Sequence, residues 1–425
     1  MTMIKQIVDL HIHSKYARAC SPLLEIPNIA KACEQKGIDI CGTGDFTHPA
    51  WLSHLKNELE EIYNTGLYRH KHSQSHTKFI FTTEISCIYK HKDKVRRLHL
   101  VLLAPNLAAV ELLNEALTKR GANLRSDGRP IMGLPAKEVL KIMLEIDKRF
   151  MMIPAHAWTP WFAVFGSKSG YDRLEDCFEE LTPYIKAIET GLSSDPPMNH
   201  QLSILDKIVL VSNSDAHSLD NLGREANVLA FEQEKDITYD GVRDCIESND
   251  KNKFLYTIEF YPEEGMYHID GHRACKVSML PKETKKHKRI CPKCKKELTI
   301  GVLHRVDDLS DRGIKDIPSD KFIPNKYIVP LREIIAEALE VGKSSKKVQA
   351  EYDKIIKSIG SEFFILLEAD LEKIKNIVSD ENIYLGIKNM RAGAVNAIPG
   401  FDGQYGHIET IKNRTNNAKQ GRLII

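Results

Sequence analysis

Two histidines separated by one residue, His11 and His13, begin the part of the chain that could carry out chemistry. They follow the apolar residues Ile7–Leu10, which predict a short strand. Side chains alternate between the two faces of a strand, so both imidazoles point to the same side. Two imidazoles on one face could begin a metal site, although an isolated His-x-His pair is more often structural.

Further metal-binding residue types lie at or near the ends of the strands that the sequence predicts. In chain order they are Asp45, His48, Glu84, His99, His156, Glu189, Asp215 and His217. Each buried histidine or carboxylate needs a polar partner, so a satisfied core explains the whole set poorly. We therefore expect a metal centre. Glu189 could be a ligand, a residue that orients a ligand, or a core carboxylate.

Short apolar runs that alternate with helical patterns must position these residues. The predicted strands are Ile7–Leu10, Ile38–Thr43, Phe79–Ile85, His99–Leu103, Phe150–Pro154, Ala187–Thr190 and Ile208–Ser212. The predicted helices between them are Ile26–Lys36, Leu52–Tyr63, Leu107–Arg120, Ala136–Lys148 and Asp172–Leu181. This alternation indicates an α/β fold with a parallel sheet, and seven such units suit a closed or nearly closed β/α barrel. The carboxyl ends of barrel strands meet on one face, where active sites form.

A second group of metal-binding residue types follows the predicted α/β region. Its four positions, spaced as in a structural zinc site, are His272, Cys275, Cys291 and Cys294. His268 and His287 are alternatives to the first of these as the fourth ligand. The basic loop Lys282–Arg289 connects the two pairs. It is either a solvated face or a contact to DNA phosphates.

Composition excludes several classes of protein. The chain has 425 residues, enough for two or three domains, and its net charge of +2 excludes a uniformly basic nucleic-acid coat. No apolar stretch approaches the roughly 18 residues that span a bilayer, and the apolar run near the N terminus is too short for a signal peptide. We therefore expect a reduced, cytoplasmic protein whose clustered cysteines bind metal rather than form disulfides.

The region after the zinc-type spacing predicts a different architecture. Residues from Tyr327 to Ile377 have a helical pattern. Within it, Val341–Ser344 resembles the end of a phosphate-binding loop, but Glu337 stands where that motif needs glycine, so we reject a nucleotide triphosphate site. We predict a catalytic domain at 1–260, a zinc-binding module at 261–325 and a helical DNA-interaction domain at 326–425. The glycine-rich run Pro399–His407 predicts tight turns.

The motif Asp9-Leu-His11-Ile-His13-Ser and the acidic and histidine residues after it resemble the polymerase and histidinol phosphatase (PHP) superfamily. The resemblance implies a distorted seven-stranded β/α barrel that binds up to three metal ions and hydrolyses phosphoesters. It assigns the first ion to His11, His13, Glu84 and Asp215. It assigns the second to Glu84, as a bridging ligand, with His99 and His156, and the third to His217 with Asp45 or His48. Asp45, Glu84 and Asp215 are the catalytic carboxylates in this assignment. Many members have Thr-Asp-His after the second strand, whereas this chain has Gly-Asp45-Phe-Thr-His48.

The order of barrel, His-x-x-Cys, Cys-Pro-x-Cys and the run Pro399–Gly406 resembles the endonuclease Q family over essentially the full length. The segments Gly271–Cys275 and Ile300–Arg305 are part of this similarity. The resemblance implies an enzyme that cleaves DNA 5′ of uracil, hypoxanthine, xanthine or an abasic site. In-line attack by a metal-bound water would leave a 3′-hydroxyl and a 5′-phosphate. We also expect a monomer. It implies one structural Zn²⁺ and two or three Zn²⁺, Mn²⁺ or Mg²⁺ ions in the barrel. A replication clamp stays open as a partner, and Gly421–Ile425 is not a convincing clamp-binding tail.

The segment after the fifth predicted strand is the candidate for contact with DNA and the damaged base, or else a lid packed on the barrel mouth. Its candidate residues are Trp161, Phe165, Ser167, Lys168, Ser169, Gly170 and Tyr171. Two other functions remain open from the sequence. One is a small-molecule phosphatase of the PHP type, and the other is a non-catalytic DNA-binding or helicase-associated protein.

Overall fold

The structure is a computed structural model that describes residues 3–92 and 94–411. Its strands are β1 (Ile4–Asp9), β2 (Ile40–Gly42), β3 (Leu59–Glu61), β4 (Tyr68–His70), β5 (Lys78–His91), β6 (Lys94–Ala104), β7 (Ile131–Met132), β8 (Met151–Pro154), β9 (Ala187–Glu189), β10 (Val209–Val211), β11 (Ala226–Phe231), β12 (Phe254–Phe260), β13 (Asp270–His272), β14 (Val277–Met279), β15 (Asn325–Ile328), β16 (Asn396–Ile398) and β17 (His407–Glu409). No helix in these ranges is long and apolar enough to cross a membrane.

The α-helices surround the strands and form most of the C-terminal part. They are α1 (Ile26–Lys36), α2 (Pro49–Glu58), α3 (Leu107–Lys119), α4 (Ala136–Ile146), α5 (Leu174–Phe178), α6 (Pro196–Asn199), α7 (Tyr239–Glu247), α8 (Pro281–Lys286), α9 (Val302–Leu309), α10 (Leu331–Leu339), α11 (Lys346–Ile359), α12 (Glu362–Leu367), α13 (Leu371–Ile377) and α14 (Glu381–Arg391). Short 3-10 helices are Glu179–Tyr184, Ser203–Leu205, Leu219–Asn221, Glu234–Asp236, Pro262–Glu264, Arg273–Cys275, Ile314–Asp316 and Ser319–Lys321. Sequence signals explain where several helices end. Helix α1, for example, is followed by Gly37, whose φ of 85° is a conformation that favours glycine.

A large mixed sheet forms the centre of the α/β part. Its strand order is β15-β12-β11-β1-β2-β5-β4-β3, with β6 and β7 also paired to β5, and β8 paired to β6. Strands β9 and β10 form a separate parallel pair. Each of the seven strands predicted from apolar runs is present, with ends that differ by a few residues.

The prediction of a parallel sheet is wrong at β5 and β6. These strands pair antiparallel as a long hairpin in which Ser86 faces His99 and His91 faces Lys94. The residues between the two predicted strands continue both strands instead of forming a helix, and a short turn can join an antiparallel pair. Strand β6 consequently runs antiparallel to β8 as well.

Side chains and loop backbone connect the β9–β10 pair to the main sheet. Asn213, just after β10, accepts a hydrogen bond from the backbone N–H of Leu10 at 2.8 Å. The backbone N–H of Ala157, just after β8, donates to the backbone oxygen of Glu189 at 3.0 Å. One apolar cluster takes members from all seven predicted strands, among them Val8, Ile40, Ile80, Val101, Ile153, Ala187 and Val209. The strands that carry or precede the predicted site residues are therefore held around a common core.

Two helical predictions need correction. The helix predicted at Leu52–Tyr63 is α2, which ends at Glu58 because the next three residues form β3. Tyr327 lies not in a helix but in β15, which pairs parallel to β12 at the edge of the large sheet. The helices of the C-terminal part begin after Pro330, at α10. The segment Gly421–Ile425 lies outside the described residues.

Candidate metal centre

Histidines and carboxylates from distant parts of the chain meet in two groups. Glu84 and His99 lie within β5 and β6, and the other members follow β1, β8 and β10. The first group is His11, His13, Glu84 and Asp215, and the second is Glu84, His99 and His156. Within each group the candidate ligand atoms lie within 4.8 Å of one another. Glu84 faces the first group with Oε2 and the second with Oε1. We refer to these six residues as the Glu84 cluster.

The first group has the dimensions of a tetrahedral ion site. His13 Nε2 lies 3.2 Å from Glu84 Oε2 and from Asp215 Oδ1, and His11 Nε2 lies 3.6 Å from the same two atoms. A tetrahedral zinc with bonds of about 2.0–2.2 Å has ligand-to-ligand edges of about 3.3–3.6 Å. The buried His11 Nε2 has no hydrogen-bond partner, so an ion at this position would satisfy it.

The second group is similarly tight. Glu84 Oε1 lies 2.8 Å from His99 Nδ1 and 3.3 Å from His156 Nε2, and the two ring nitrogens are 3.2 Å apart. Burial outweighs the attraction of Glu84 and lowers the pKa of His99 to about 4, so its imidazole is neutral. A neutral imidazole is the form that binds metal. The second group therefore suits an ion that shares Glu84 with the first.

Two carboxylates outside the Glu84 cluster determine which imidazole nitrogen faces it. Glu189 accepts hydrogen bonds from His11 Nδ1 at 3.0 Å and from the backbone N–H of His156 at 2.9 Å. Asp45 accepts from His13 Nδ1 at 3.0 Å. When Nδ1 donates, Nε2 keeps its lone pair for a metal. Of the three alternatives for Glu189, this geometry favours the one that orients a ligand, and Asp45 is placed the same way.

The Glu84 cluster concentrates negative charge that needs a cation. Burial alone would lower the pKa of His11, but Glu189 and Glu84 outweigh it and raise that pKa well above its usual value. Burial would raise the pKa of Asp215, but His13 and His11 outweigh it and lower that pKa below its usual range. Protonated imidazoles or divalent ions can supply the positive charge. The mixture of nitrogen and oxygen donors suits zinc or manganese.

Three of the predicted site residues have strained backbones. The φ angles of Asp45, His156 and Asp215 are 48°, 29° and 46°, in the left-handed region that non-glycine residues rarely adopt. Such strain persists only where surrounding contacts hold it, and it occurs often at functional sites. The three residues lie where the chain turns away after β2, β8 and β10.

Among the described residues, His217, Asp45 and His48 do not come together as the group that the resemblance assigned to a third ion. Asp45 accepts the hydrogen bond from His13 Nδ1 described above. His48 stacks on Tyr16 with ring centroids 4.4 Å apart, and burial lowers its pKa. His217 Nδ1 donates to the backbone oxygen of Asp215 at 2.9 Å. The three residues predicted to hold a third ion therefore have other contacts.

Arg129 is a site residue that the sequence analysis missed. Its Nη1 donates to Glu84 Oε2 at 2.9 Å, and its side chain is 23% exposed. It lies in the turn-rich run 126–130, which is a recognisable loop in the sequence. No spacing rule connects that loop to Glu84, because tertiary contacts alone bring the two together.

The cysteines of the zinc-type spacing meet in a third group. His272, Cys275, Cys291 and Cys294, which we call the cysteine cluster, have candidate ligand atoms within 4.8 Å of one another. The backbone N–H groups of Cys294 and Lys293 lower the pKa of Cys291, which favours the thiolate form that binds zinc. Of the alternatives, His268 Nδ1 donates to the backbone oxygen of Ser193 at 3.1 Å, and His287 lies outside the group.

The basic loop beside the cysteine cluster is partly neutralised. Lys285 forms an ion pair with Asp307, and Arg289 with Asp308, both on α9. The side chains of Lys282, Lys286 and Lys288 are exposed. The exposed positive charge of the loop therefore lies mainly on these three lysines, which ion pairs to α9 do not cover.

The segment proposed to contact the base is mostly packed inside the protein. Phe165, Ser169 and Tyr171 are buried, and the last donates to or accepts from the hydroxyl of Tyr89 at 3.0 Å. Gly170 is half-buried. The interpretation of these buried side chains as base contacts needs correction, because they already pack the segment. The residues that remain accessible are Trp161, Ser167 and Lys168.

Solved structures resemble this chain over nearly its whole length. The lesion-specific endonuclease PfuEndoQ from Pyrococcus furiosus matches with a TM-score of 0.83 and 31% identity, covering 97% of this chain and 98% of that one. A structure of endonuclease Q with a 27-mer duplex substrate that has an abasic lesion at the active site matches with a TM-score of 0.84 and 30% identity. It covers 98% of this chain and 100% of that one.

Sequence comparisons agree with the structural ones. The Bacillus subtilis (strain 168) protein YqxK is 28% identical over 425 residues, covering 96% of this chain and 100% of that protein. The Methanocaldococcus jannaschii protein MJ0043 is 30% identical over 281 residues, 64% of this chain, and the chain spans only 34% of that protein's length. Residues 330–394 match a family model described as the MJ0043 C-terminal domain.

Full-length agreement with two endonuclease structures, together with paired metal-binding groups, defines the protein as an endonuclease. More narrowly, the chain belongs to the endonuclease Q family, as its motifs predicted.

Proposed function

We propose that the protein is a metal-dependent endonuclease that hydrolyses the DNA phosphodiester on the 5′ side of a uracil, hypoxanthine, xanthine or abasic site. The observation that carries this proposal is the pair of metal-binding groups joined by Glu84. The abasic duplex bound to a relative that matches over the full chain supports DNA as the substrate.

We assign one ion to His11, His13, Glu84 and Asp215, and a second to Glu84, His99 and His156. The ligand spacing, the orphaned His11 Nε2 and the orienting contacts of Glu189 and Asp45 support this assignment. When bound, divalent ions activate a water molecule and stabilise charge on phosphate oxygens. The third ion that the PHP resemblance implied is not part of the proposal, because Asp45, His48 and His217 have other contacts.

The reaction requires one phosphodiester to reach the exposed side of the Glu84 cluster. The side chains of His11 and Glu84 are at most 1% exposed, whereas those of Asp215 and His217 are 25% and 29% exposed. A water oxygen forms a bond to phosphorus while the bond from phosphorus to the 3′ oxygen breaks. The water loses a proton to solvent and the 3′ oxygen gains one. The products are a 3′-hydroxyl and a 5′-phosphate.

We further infer that β1, β2, β5, β6, β8, β9 and β10 form the distorted seven-stranded barrel of the PHP type. Two observations support this inference. One apolar cluster takes members from all seven strands, and hydrogen bonds of Asn213 and of the Glu189 backbone connect the β9–β10 pair to the chain after β1 and after β8. The proposed division is then this catalytic domain at 1–260, the module of the cysteine cluster with one structural Zn²⁺ at 261–325, and the DNA-interaction region at 326–425. We also propose a monomer. A replication clamp as a partner remains a prediction.

The accessible part of the segment after β8 remains our candidate for contact with the damaged base. Trp161 is half-buried and its ring lies 5.8 Å from that of Tyr267. Ser167 donates to the backbone oxygen of Ile300 at 3.2 Å, and Lys168 is exposed. An aromatic ring with a hydroxyl and a cation nearby could stack on an extruded base and hold its flanking phosphate.

The experiment uses 5′-labelled duplexes with uracil, hypoxanthine, xanthine, an abasic site or no lesion, each incubated with protein and Mn²⁺, Mg²⁺ or Zn²⁺. The proposal expects one nick 5′ of each lesion, none in the intact duplex and none with chelator. A polymerase should extend the new end, which identifies a 3′-hydroxyl. Release of phosphate from a small ester with DNA untouched would replace the proposal by a phosphatase, and binding without cleavage by a non-catalytic protein.

A further inference from the structure

Arg129 is positioned by contacts on both sides of its loop. Its backbone N–H donates to Asp127 Oδ1 at 3.0 Å, and the N–H of the preceding Gly128 donates to the backbone oxygen of Tyr16 at 3.0 Å. The backbone oxygen of Pro130 accepts from the N–H of Ser86 on β5 at 3.0 Å. The loop is thus fixed to the segment after β1 and to the strand that carries Glu84.

The close approach of this loop to Asp45 depends on Gly128. A Cβ atom at this position would collide with the Asp45 carboxylate, which in turn holds His13. Thr47 also donates to the backbone oxygen of Gly128 at 3.4 Å. The loop therefore lies over the end of β2, where the third ion was expected, and it brings a guanidinium to that side of the Glu84 cluster.

Arg129 has hydrogen-bonding capacity that the part of the chain described by the structure does not use. Guanidinium carries five N–H donors, and among residues 3–92 and 94–411 the structure records one side-chain bond of Arg129, to Glu84. Arg224, whose side chain also lies beside Asp215, is different, because it donates to the backbone oxygens of Ser214 and Asp215. Arg129 is 23% exposed and lies near enough to Asp215 and His217 to interact electrostatically with both, and these two residues are also partly exposed.

We propose that Arg129 donates hydrogen bonds to a non-bridging oxygen of the phosphate being cleaved and stabilises the charge that builds there in the transition state. This inference rests on the proposed function. Arginine suits the role because it is always charged and its planar fork matches two phosphate oxygens. Preorganised donors aimed at developing charge are usually among the largest contributions to catalysis.

A purely structural role is the alternative. Arg129 could act only by neutralising Glu84, in which case its loss would weaken ion binding and would lower activity through the ions. The two roles predict different changes in reaction rate and in ion binding. A phosphate contact lowers the rate of the chemical step in protein that still holds its ions, whereas a structural role lowers ion content or affinity in parallel with rate.

The test compares wild type with Arg129→Gln, Arg129→Lys and Arg129→Ala, and uses Arg125→Gln as the matched control. Arg125 directly precedes the loop that carries Arg129 and is exposed. We measure ion content by atomic spectroscopy, the affinity for a uracil duplex, and the single-turnover nicking rate at saturating DNA. Arg129→Gln should keep its ions and lose about 10²-fold or more in rate. Arg129→Lys should recover part of the rate, and low, non-denaturing guanidinium should partly restore Arg129→Ala.

Several results would overturn the inference. One is an Arg129→Gln rate within about 3-fold of wild type with full ion content, since a lost transition-state contact costs more. Another is a rate that falls only in proportion to lost ions. If Arg129→Gln does not fold, the rate and guanidinium response of Arg129→Lys and Arg129→Ala decide the question. Wild-type protein that fails to nick any lesion refutes the proposed function itself, which separates the two failures.

Discussion

The Glu84 cluster and the cysteine cluster hold their candidate ligands in different ways. The Glu84 cluster collects residues from His11 to Asp215, all next to strands of one large core. The cysteine cluster comes from 23 residues, 272–294, and beside it lies a small apolar group formed by Val277, Cys291 and Leu298. The first is therefore positioned by the fold, whereas the second has little core of its own.

This difference suggests opposite relations between metal and stability. In the Glu84 cluster, Glu189 and Asp45 already orient His11 and His13, so a bound ion adds chemistry to a formed site. In the module of the cysteine cluster, binding energy from zinc replaces a missing core, as in small zinc-binding domains. Loss of one ligand should therefore remove activity in the first case and local structure in the second.

Asp215→Asn should give the largest effect on activity. The substitution keeps the shape of the side chain but removes a negative ligand, which costs several kcal/mol of transition-state stabilisation, about 10³-fold in nicking rate. The melting temperature should stay near that of wild type, because the fold positions Asp215. Single-turnover nicking and thermal unfolding measure the two quantities.

The same substitution at the exposed Asp244 is the control for Asp215→Asn, and it should leave the nicking rate unchanged. Full nicking activity in Asp215→Asn would contradict the ligand assignment. A large loss of stability would contradict the statement that the Glu84 cluster is held by the fold.

Replacing both Cys291 and Cys294 by serine should have the opposite effect to Asp215→Asn, because it should remove local structure and not the chemistry of the Glu84 cluster. The variant should lose one tightly bound zinc per chain, the module should become sensitive to limited proteolysis, and DNA affinity should fall by about 10-fold if the nearby basic loop supplies phosphate contacts. Atomic spectroscopy, proteolysis with mass analysis and DNA titration measure these changes. Cys20→Ser, outside both clusters, is the control. Unchanged zinc content would refute the assignment.

Glu189→Gln should have an intermediate effect, because it changes the partner of a ligand and not a ligand. The amide can still accept from His11 Nδ1 but no longer supplies negative charge, and such changes typically cost 10–100-fold in metal affinity. Metal titration of nicking and of heat release measures this affinity. Glu234→Gln, on an exposed side chain, should leave it unchanged. Wild-type affinity in Glu189→Gln would mean that the fold orients His11 without help.

The sequence predicted those parts of the site whose signals are local. Apolar runs indicated seven strands, and the histidines and acidic residues in or just after them were candidate ligands. Alternation along a strand fixes where His11 and His13 point. The cysteine spacing was also informative, since a knuckle and its loop lie within 23 residues. In both cases the chemistry and the element that carries it are adjacent in the chain.

Features that depend on long-range contacts were not predictable. The antiparallel β5–β6 hairpin replaced an expected crossover, because the residues between two strands can extend them as easily as form a helix. Asp45 has the residue type of a ligand, yet its carboxylate faces His13 Nδ1, and only the packed structure decides this. Arg129 reaches Glu84 from a loop 45 residues away in sequence, and no periodicity connects the two.

A second pair of buried carboxylates, Glu225 and Glu259, can be compared with the Glu84 cluster. Like that cluster it buries acidic groups, but imidazoles are not part of it. The register of β11 and β12, in which Ala226 faces Ile258, puts Glu225 opposite Glu259, and both are fully buried. Burial raises the pKa of Glu259 to about 8 and that of Glu225 well above its usual value. No ion pair to either carboxylate is recorded among the described residues, and burial outweighs the attraction of Arg224 for Glu225, so protons keep both groups neutral.

Glu259→Gln should therefore change the pH dependence of stability. Between about pH 5 and about pH 8 folded protein holds a proton on Glu259 that unfolded protein has lost, so wild-type stability falls as pH rises. Glutamine does not titrate, so the variant should lose less, with a difference of a few °C in melting temperature between about pH 5.5 and about pH 8. Glu234→Gln should keep the wild-type slope. An equal slope in Glu259→Gln would mean that Glu259 is ionised in the fold and has a cation near it, as the Glu84 cluster requires.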